Sequence, residues 1–259
     1  GLCPVCGSKY ISGFKAGTQK IEQVVKARFP QARVLRMDMD TTRTKDGYEQ
    51  ILSAFSNHEA DILIGTQMIV KGHDFPGVTL VGVLAADLSL YISDYRASER
   101  TFQLLTQAAG RAGRGDIPGN VIIQTYDPDH YSITTAKEQN YEAFYGQEIE
   151  YRKMMRYPPV WNMLYILCAS KNEAEASEAA VALMGKIDQI VRENSEKIFP
   201  IGPSDAPVAK ISDVYRKVIY VKTREYQTLV ILKDGLEAFI KDNRLYQNVA
   251  VGFDFNPVN

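Results

Sequence analysis

Short apolar runs at 34–37, 61–65, 79–85 and 120–126 alternate with segments whose apolar residues recur at helical spacing. A buried strand needs only about five residues, whereas a helix needs ten or more, so these runs read as strands and the segments between them as helices. Strands joined by helices of that length pair in parallel, because a parallel connection must cross back over the sheet. The first half of the chain is therefore expected to be a parallel α/β sheet. Its helices are expected at 19–29, capped by Gly17-Thr18 and stopped by Pro30, and at 44–58, 97–112 and 136–155. In such sheets chemistry collects past the carboxyl ends of strands, and Thr66, Lys71 and Asp74 all fall just past one.

Tyr157-Pro158-Pro159 is a stiff break, and beyond it the order changes. A strand at 161–170, a helix at 172–194 and a strand at 198–202 lead into a Gly/Pro-rich loop through Pro207. A strand at 213–222, a helix at 224–242 and a strand at 247–254 complete a β-α-β-β-α-β series, the ferredoxin-like arrangement. Composition fits a globular protein with ample core: 45% of the residues are hydrophobic and 24% charged. No apolar run approaches the roughly 18 residues that a membrane span needs. The net charge of −1 excludes a strongly basic, non-specific DNA binder, so any nucleic-acid contact must come from local patches. Three cysteines are too few for a disulfide framework. Cys168 lies in an apolar run and reads as a buried thiol.

Gln107-Ala-Ala-Gly110-Arg111-Ala-Gly113-Arg114 places two arginines three residues apart behind a glutamine. On a helix that spacing puts both guanidinium groups on one face, where two planar forks suit a phosphate chain. Some forty residues upstream, the strand Ile62-Leu-Ile-Gly65 runs into the polar loop Thr66-Gln67-Met-Ile-Val-Lys71-Gly72-His73-Asp74-Phe75. Neither a G-x-x-x-x-G-K-[ST] phosphate loop nor an Asp-Glu dipeptide occurs in the chain. Cys3-Pro4-Val5-Cys6-Gly7 has the Cys-x-x-Cys turn that presents two thiolates to one metal, half of a tetrahedral zinc site. The two further ligands are expected upstream of Gly1.

The loop and the arginine segment together resemble motifs V and VI of superfamily 2 helicases. With Gly17-Thr-Gln-Lys-Ile-Glu22, Asp94-Tyr-Arg96-Ala-Ser-Glu99-Arg100, Arg156-Tyr-Pro-Pro159 and Asp254-Phe-Asn-Pro257, the ordered set is similar to the PriA (primosomal protein N-prime) family of bacterial replication-restart helicases. The resemblance covers essentially the whole chain. It implies the end of a zinc module at 1–12, a RecA-like second helicase lobe at 13–155 and an α+β C-terminal domain at 156–259. It implies a fragment of a cytoplasmic, nucleoid-associated enzyme that uses ATP with Mg²⁺ to unwind forked DNA in the 3′-to-5′ direction. Single-strand DNA-binding protein and other primosome proteins are the implied partners.

Carried onto this sequence, the resemblance makes Arg111 and Arg114 arginine fingers on the γ-phosphate and gives Gln107 the nucleotide or the attacking water. Gly72 to Asp74 become the coupling loop to the nucleotide. Thr66, Gln67 and Lys71 become DNA-backbone contacts, with Thr66 and Gln67 as loop caps and Lys71 as a solvated lysine the alternatives. Tyr215-Arg216-Lys217-Val-Ile-Tyr220-Val-Lys222 alternates, so Arg216 and Lys217 are candidate DNA contacts on an aromatic and basic strand face, or the polar side of a half-buried strand. Lys217 stands where the family pattern favours an aromatic residue. Two rival readings remain: a module that binds branched DNA and partner proteins, and the second lobe of another superfamily 2 repair translocase. The latter does not account for the Cys-x-x-Cys or the Tyr-Pro-Pro junction.

Overall fold

The apolar runs pair as their lengths demand. The computed structural model describes residues 17–42, 47–66, 75, 77–113, 118–193 and 197–257. Within them β1 (Val34–Met37) lies parallel to β2 (Ile62–Gly65), with Met37 opposite Gly65. Likewise β3 (Leu80–Val83) lies parallel to β4 (Asn120–Ile123). Among the described residues these are two separate two-stranded sheets rather than one continuous sheet. The helices are α1 (Thr18–Arg28), α2 (Gly47–Ser56), the short α3 (Asp87–Leu90), α4 (Ala97–Ala109), α5 (Tyr131–Lys137) and α6 (Tyr141–Met155).

Two small cores hold this part. Met37, Leu52 and Phe75 form one, with the Phe55 ring edge-on to Phe75 at 5.0 Å. Ala86, Phe102, Leu105, Ile133, Ala136 and Phe144 form the other, where Phe102 stacks on Phe144 at 4.3 Å. A single helix expected at 136–155 proves to be the end of α5 and all of α6. The break falls where Gln139 takes φ 51° and the Asn140 side chain accepts from the Ala143 N–H at 3.0 Å, a local bond that competes with helix propagation. The helix expected to run through 112 stops at Ala109. Beyond it the Arg111 and Ala112 N–H groups bond the Ala108 and Ala109 carbonyls at 3.0 and 3.3 Å, a tightened last turn, and Gly113 leaves at φ 75°.

In the C-terminal part, β5 (Asn162–Ser170), α7 (Glu173–Glu193), β6 (Phe199–Ile211), β7 (Val214–Thr223), α8 (Tyr226–Lys241) and β8 (Ala250–Phe255) follow in that order. The sheet runs β6-β7-β5-β8 with every neighbouring pair antiparallel, the ferredoxin-like order. Leu164, Ile166 and Cys168 of β5 and Ile219 and Val221 of β7 point to one face. There they pack on Ala180, Leu183 and Ile187 of α7 and Leu229, Leu232 and Leu236 of α8. Strand period two thus divides the sheet into a helix-covered face and an opposite one. The expected loop after 202 is instead part of a 13-residue edge strand, irregular at Ile201/Ser204 and Asp205/Lys210. Gly202 makes this possible: it sits at φ 116°, and a Cβ there would meet the Val218 carbonyl oxygen at 2.8 Å.

The chain divides into one unit of residues 1–92 and 96–144 and a second of residues 93–95 and 145–259. This division falls inside α6. The reason is a buried ion pair: Arg152 donates to Glu148 at 2.7 Å and to the Pro158 carbonyl at 3.0 Å, fastening the second half of α6 to the Tyr-Pro-Pro turn. Tyr95 stacks on Tyr157 at 5.3 Å within the same unit.

Candidate functional site

The parallel register sets the geometry of the first unit. Met37 is opposite Gly65, so the next residues, Asp38 and Thr66, leave the same end of the β1–β2 pair. Thr18, expected as a cap, is the first residue of α1, and its hydroxyl donates to Asp38 at 2.5 Å. The other Asp38 oxygen accepts from the N–H groups of Asp40 and Thr41 at 3.1 and 3.0 Å. The Thr18 hydroxyl bond, helped by Thr41 and the Arg36 charge, holds the Asp38 carboxyl below its ordinary range. The start of α1, the turn after β1 and the exposed Thr66 are thereby gathered at the carboxyl end of the sheet. Phe75 is buried in the Met37–Leu52 core, which anchors the chain at that point.

Gln107 is exposed on the last turn of α4, and Arg111 follows one turn later, half-buried. The helix expected to carry Arg111 ends at Ala109, so Arg111 lies past it in the tightened last turn. Gly110 and Gly113 are poor helix formers, and the Gly113 N–H leaves the helix to donate to the Val78 carbonyl at 3.0 Å. That bond ties the residues just past α4 to Val78, three residues beyond Phe75. A Cβ on Gly113 would meet the Gly119 nitrogen at 2.4 Å, so Gly113 also touches, backbone to backbone, the residues that lead into β4. Arg114, Gln67, Lys71, Gly72, Asp74, Cys3 and Cys6 lie outside the described residues. Among the described residues no three His, Cys, Asp or Glu side chains are grouped to hold a metal.

Sequence reading gave no role to Asp87, which ends the 79–85 run. Its buried carboxylate accepts from the Thr125 hydroxyl at 2.6 Å and from the Tyr126 N–H at 3.0 Å. Burial alone would raise it, but these donors outweigh burial and hold it below its ordinary range. It joins the loops that leave β3 and β4, a long-range pairing that spacing along the chain does not reveal.

In the second unit β7 separates two candidates that the sequence placed together. Arg216 shares the face opposite the helices with Val218, Tyr220 and Lys222, whereas Lys217 lies on the helix side, paired with Cys168. There the Lys217 ammonium contacts Asp205 at 2.5 Å and Glu173 at 3.5 Å, and the Asp205 bond raises its pKa. Arg216 lies beside the Tyr165 phenol, whose pKa burial pushes up and the guanidinium opposes. Cys168 is fully buried and burial pushes its thiol up to about 12, an inert core thiol as expected.

A recess of about 420 Å³ opens at the far end of β6 and β7, lined by Arg156, Trp161, Lys197, Phe199, Arg224 and Glu225. Arg156 stacks on the Phe199 ring at 3.6 Å, Arg224 lies over Trp161 at 5.3 Å, and the two rings meet edge-on at 5.5 Å. Cations over aromatic faces around one opening suit a ligand that is both anionic and apolar.

Residues 10–116 match the helicase conserved C-terminal domain, and residues 153–258 match the primosomal protein N C-terminal domain. The replication restart protein PriA of Bacillus subtilis is 46% identical over 98% of this chain and 31% of its own length. That of Synechocystis is 41% identical over 89% of this chain and 27% of its own, and that of Chlamydia pneumoniae 41% over 85% and 29%. The chain thus spans less than a third of the length of these curated relatives. Among the described residues no helix is long and apolar enough to cross a membrane.

Proposed function

We propose that this chain, which belongs to the family of replication restart proteins PriA, supplies the second motor lobe and the C-terminal domain of an ATP-dependent helicase. The whole enzyme unwinds DNA in the 3′-to-5′ direction at stalled forks of the bacterial nucleoid and begins primosome assembly. The observation that carries this reading is the 3.0 Å hydrogen bond from Gly113 to Val78. It joins the residues that follow Gln107 and Arg111 to Val78, shortly before β3.

ATP with Mg²⁺, when bound, supplies the phosphoryl group and its charge. Arg111, half-buried past the end of α4, is of the size and charge to meet a phosphate, and Arg114 acts with it. Gln107 orients the nucleotide or the attacking water, and Gly72 to Asp74 couple the loop to the nucleotide. Thr66, Gln67 and Lys71 contact the DNA backbone, and Arg216 adds a contact from the C-terminal domain. Lys217 serves its ion pairs with Asp205 and Glu173. Cys3 and Cys6 contribute two thiolates to a structural zinc site. In the whole protein, Arg111→Ala should keep nucleotide binding and lose most DNA-stimulated hydrolysis; full hydrolysis in that variant refutes the assignment.

The recess around Arg156, Trp161 and Arg224 favours a second role, compatible with the first: a module that binds branched DNA and single-strand DNA-binding protein. An acidic, apolar peptide tail matches its chemistry. Arg224→Glu should abolish capture of such a peptide while leaving hydrolysis on DNA unchanged, and unchanged capture would exclude the recess.

A further inference from the structure

The face of the C-terminal sheet that α7 and α8 leave uncovered carries one register row across all four strands. It reads Ile201 on β6, Tyr220 on β7, Tyr165 on β5 and Asp254 on β8. The two tyrosines sit directly opposite each other on the central strands, with ring centroids 5.4 Å apart and planes tilted by 59°. Ile201, 49% exposed, extends the row on one side. On the other side Ala250, Gly252 and Asp254 are all exposed, and the first two are too small to rise above the rings. Arg216 flanks the row and lies beside the Tyr165 phenol. Both tyrosines are half-buried, and Tyr157 covers the adjoining part of the face over Lys222, so the row is a partly exposed aromatic strip with a guanidinium at one border and a carboxylate at its end.

We infer that this sheet face binds single-stranded DNA, stacking two unpaired bases on Tyr220 and Tyr165 while Arg216 holds a phosphate of the same strand. Aromatic faces accept any unpaired base, and a base inside a duplex cannot reach them. The Asp254 carboxylate can accept from an exocyclic amino group at the edge of a stacked base. The ring row sits on the central strands β5 and β7, each paired on both sides, so a peptide that extends the sheet would add at the outer edge of β6 or β8 and not on the rings. The inference rests on the proposed DNA contact of the C-terminal domain and specifies its form: bases are read by stacking and a single phosphate by Arg216.

Gly252 provides an unusually clean variant. It is not in the left-handed region, and a Cβ there would meet only the Leu167 Cβ at 3.9 Å, an ordinary contact. Gly252→Val therefore raises an obstruction beside the rings without straining the strand. The test is anisotropy titration of the whole chain, at low salt, with labelled oligothymidylate and with a blunt duplex of equal length. Tyr165→Ala with Tyr220→Ala should weaken single-strand binding roughly ten-fold or more per ring and leave duplex binding alone. The corresponding Phe variants should keep full affinity, because the ring face and not the hydroxyl is used. Gly252→Val should weaken single-strand binding with an unchanged melting temperature. Parent-like single-strand affinity in the double alanine variant overturns the inference but spares the DNA-contact reading. Absence of any DNA binding by the parent chain removes that reading, and the inference with it. An acidic peptide displaced by the same alanines would assign the face to a protein partner and also overturn it.

Discussion

The Lys222 ammonium lies 3.7 Å from the centre of the Tyr157 ring and donates to the Met155 carbonyl at 3.0 Å. A residue of β7 thereby closes over the turn that follows α6. Burial, reinforced by repulsion from Arg156, lowers its pKa from 10.5 to about 8. The unfolded chain keeps this proton up to about 10.5, while the folded chain gives it up near 8, so between those values the unfolded state binds more protons. Stability should therefore rise with pH across that window. Urea titrations at pH about 7.5 and about 9.5 should show a higher midpoint at the upper pH, and Lys222→Met should remove this slope. An identical slope in the variant would show that other groups cause it.

Strand positions and most helices were legible because burial imposes a period on the sequence. The runs at 34–37 and 61–65 are strands for that reason, and the β-α-β-β-α-β order follows from the same signal. What escaped was set by contacts between distant residues. The end of α4 depends on the Val78 carbonyl, which competes for the Gly113 N–H. The length of β6 depends on β7, which takes up a Gly/Pro-rich segment that local propensity assigns to a loop. Arg216 and Lys217 looked alike in the strand pattern. Period two placed them on opposite faces, and only the position of α7 and α8 decided which of the two packs against helices. The Asp38–Thr18 and Asp87–Thr125 bonds left no local trace at all.

Gly113 and Gly119 should be intolerant of any side chain. A Cβ on Gly119 would lie 2.2 Å from the Gly113 nitrogen and 2.3 Å from the Ala112 carbonyl carbon, and backbone cannot step aside as a flexible side chain could. Gly113 adds the strain of φ 75°. Gly113→Ala is expected to cost about 3 kcal/mol or more, the sum of left-handed strain and overpacking. Equilibrium denaturation measures this, and a loss below about 0.5 kcal/mol would mean that the two segments do not meet backbone to backbone.

Arg216→Ala and Lys217→Ala should behave differently despite being neighbours. Losing Arg216 should weaken DNA binding and reduce the salt slope by about one charge, since one phosphate contact disappears. Losing Lys217 should leave affinity near that of the parent. It removes exposed-carboxylate ion pairs, so its stability effect should stay within about 1 kcal/mol. Titrations at several salt concentrations separate the two, and equal losses of affinity would return Lys217 to the DNA surface.

Arg111 and Arg114 face the most demanding test, because the helix that was to align them ends at Ala109. Arg111 sits in the tightened turn just before the Gly113–Val78 bond. On its own the 259-residue chain should not hydrolyse ATP, since its sequence has no phosphate loop. In the whole protein, Arg111→Ala and Arg114→Ala should each leave nucleotide and DNA binding largely intact. Each should reduce DNA-stimulated hydrolysis roughly a thousand-fold, the scale of a lost transition-state arginine. Arg→Lys should rescue little at either position, because a compact ammonium cannot present two parallel N–H donors to a phosphate. Gly113→Ala should lower turnover through Arg111, and adding back binding energy with higher ATP should not restore it, because geometry and not affinity is disturbed. Steady-state turnover with saturating forked DNA distinguishes these cases. Near-normal rates in both alanine variants would leave the arginines as ordinary surface charges and remove the motor role proposed for this lobe.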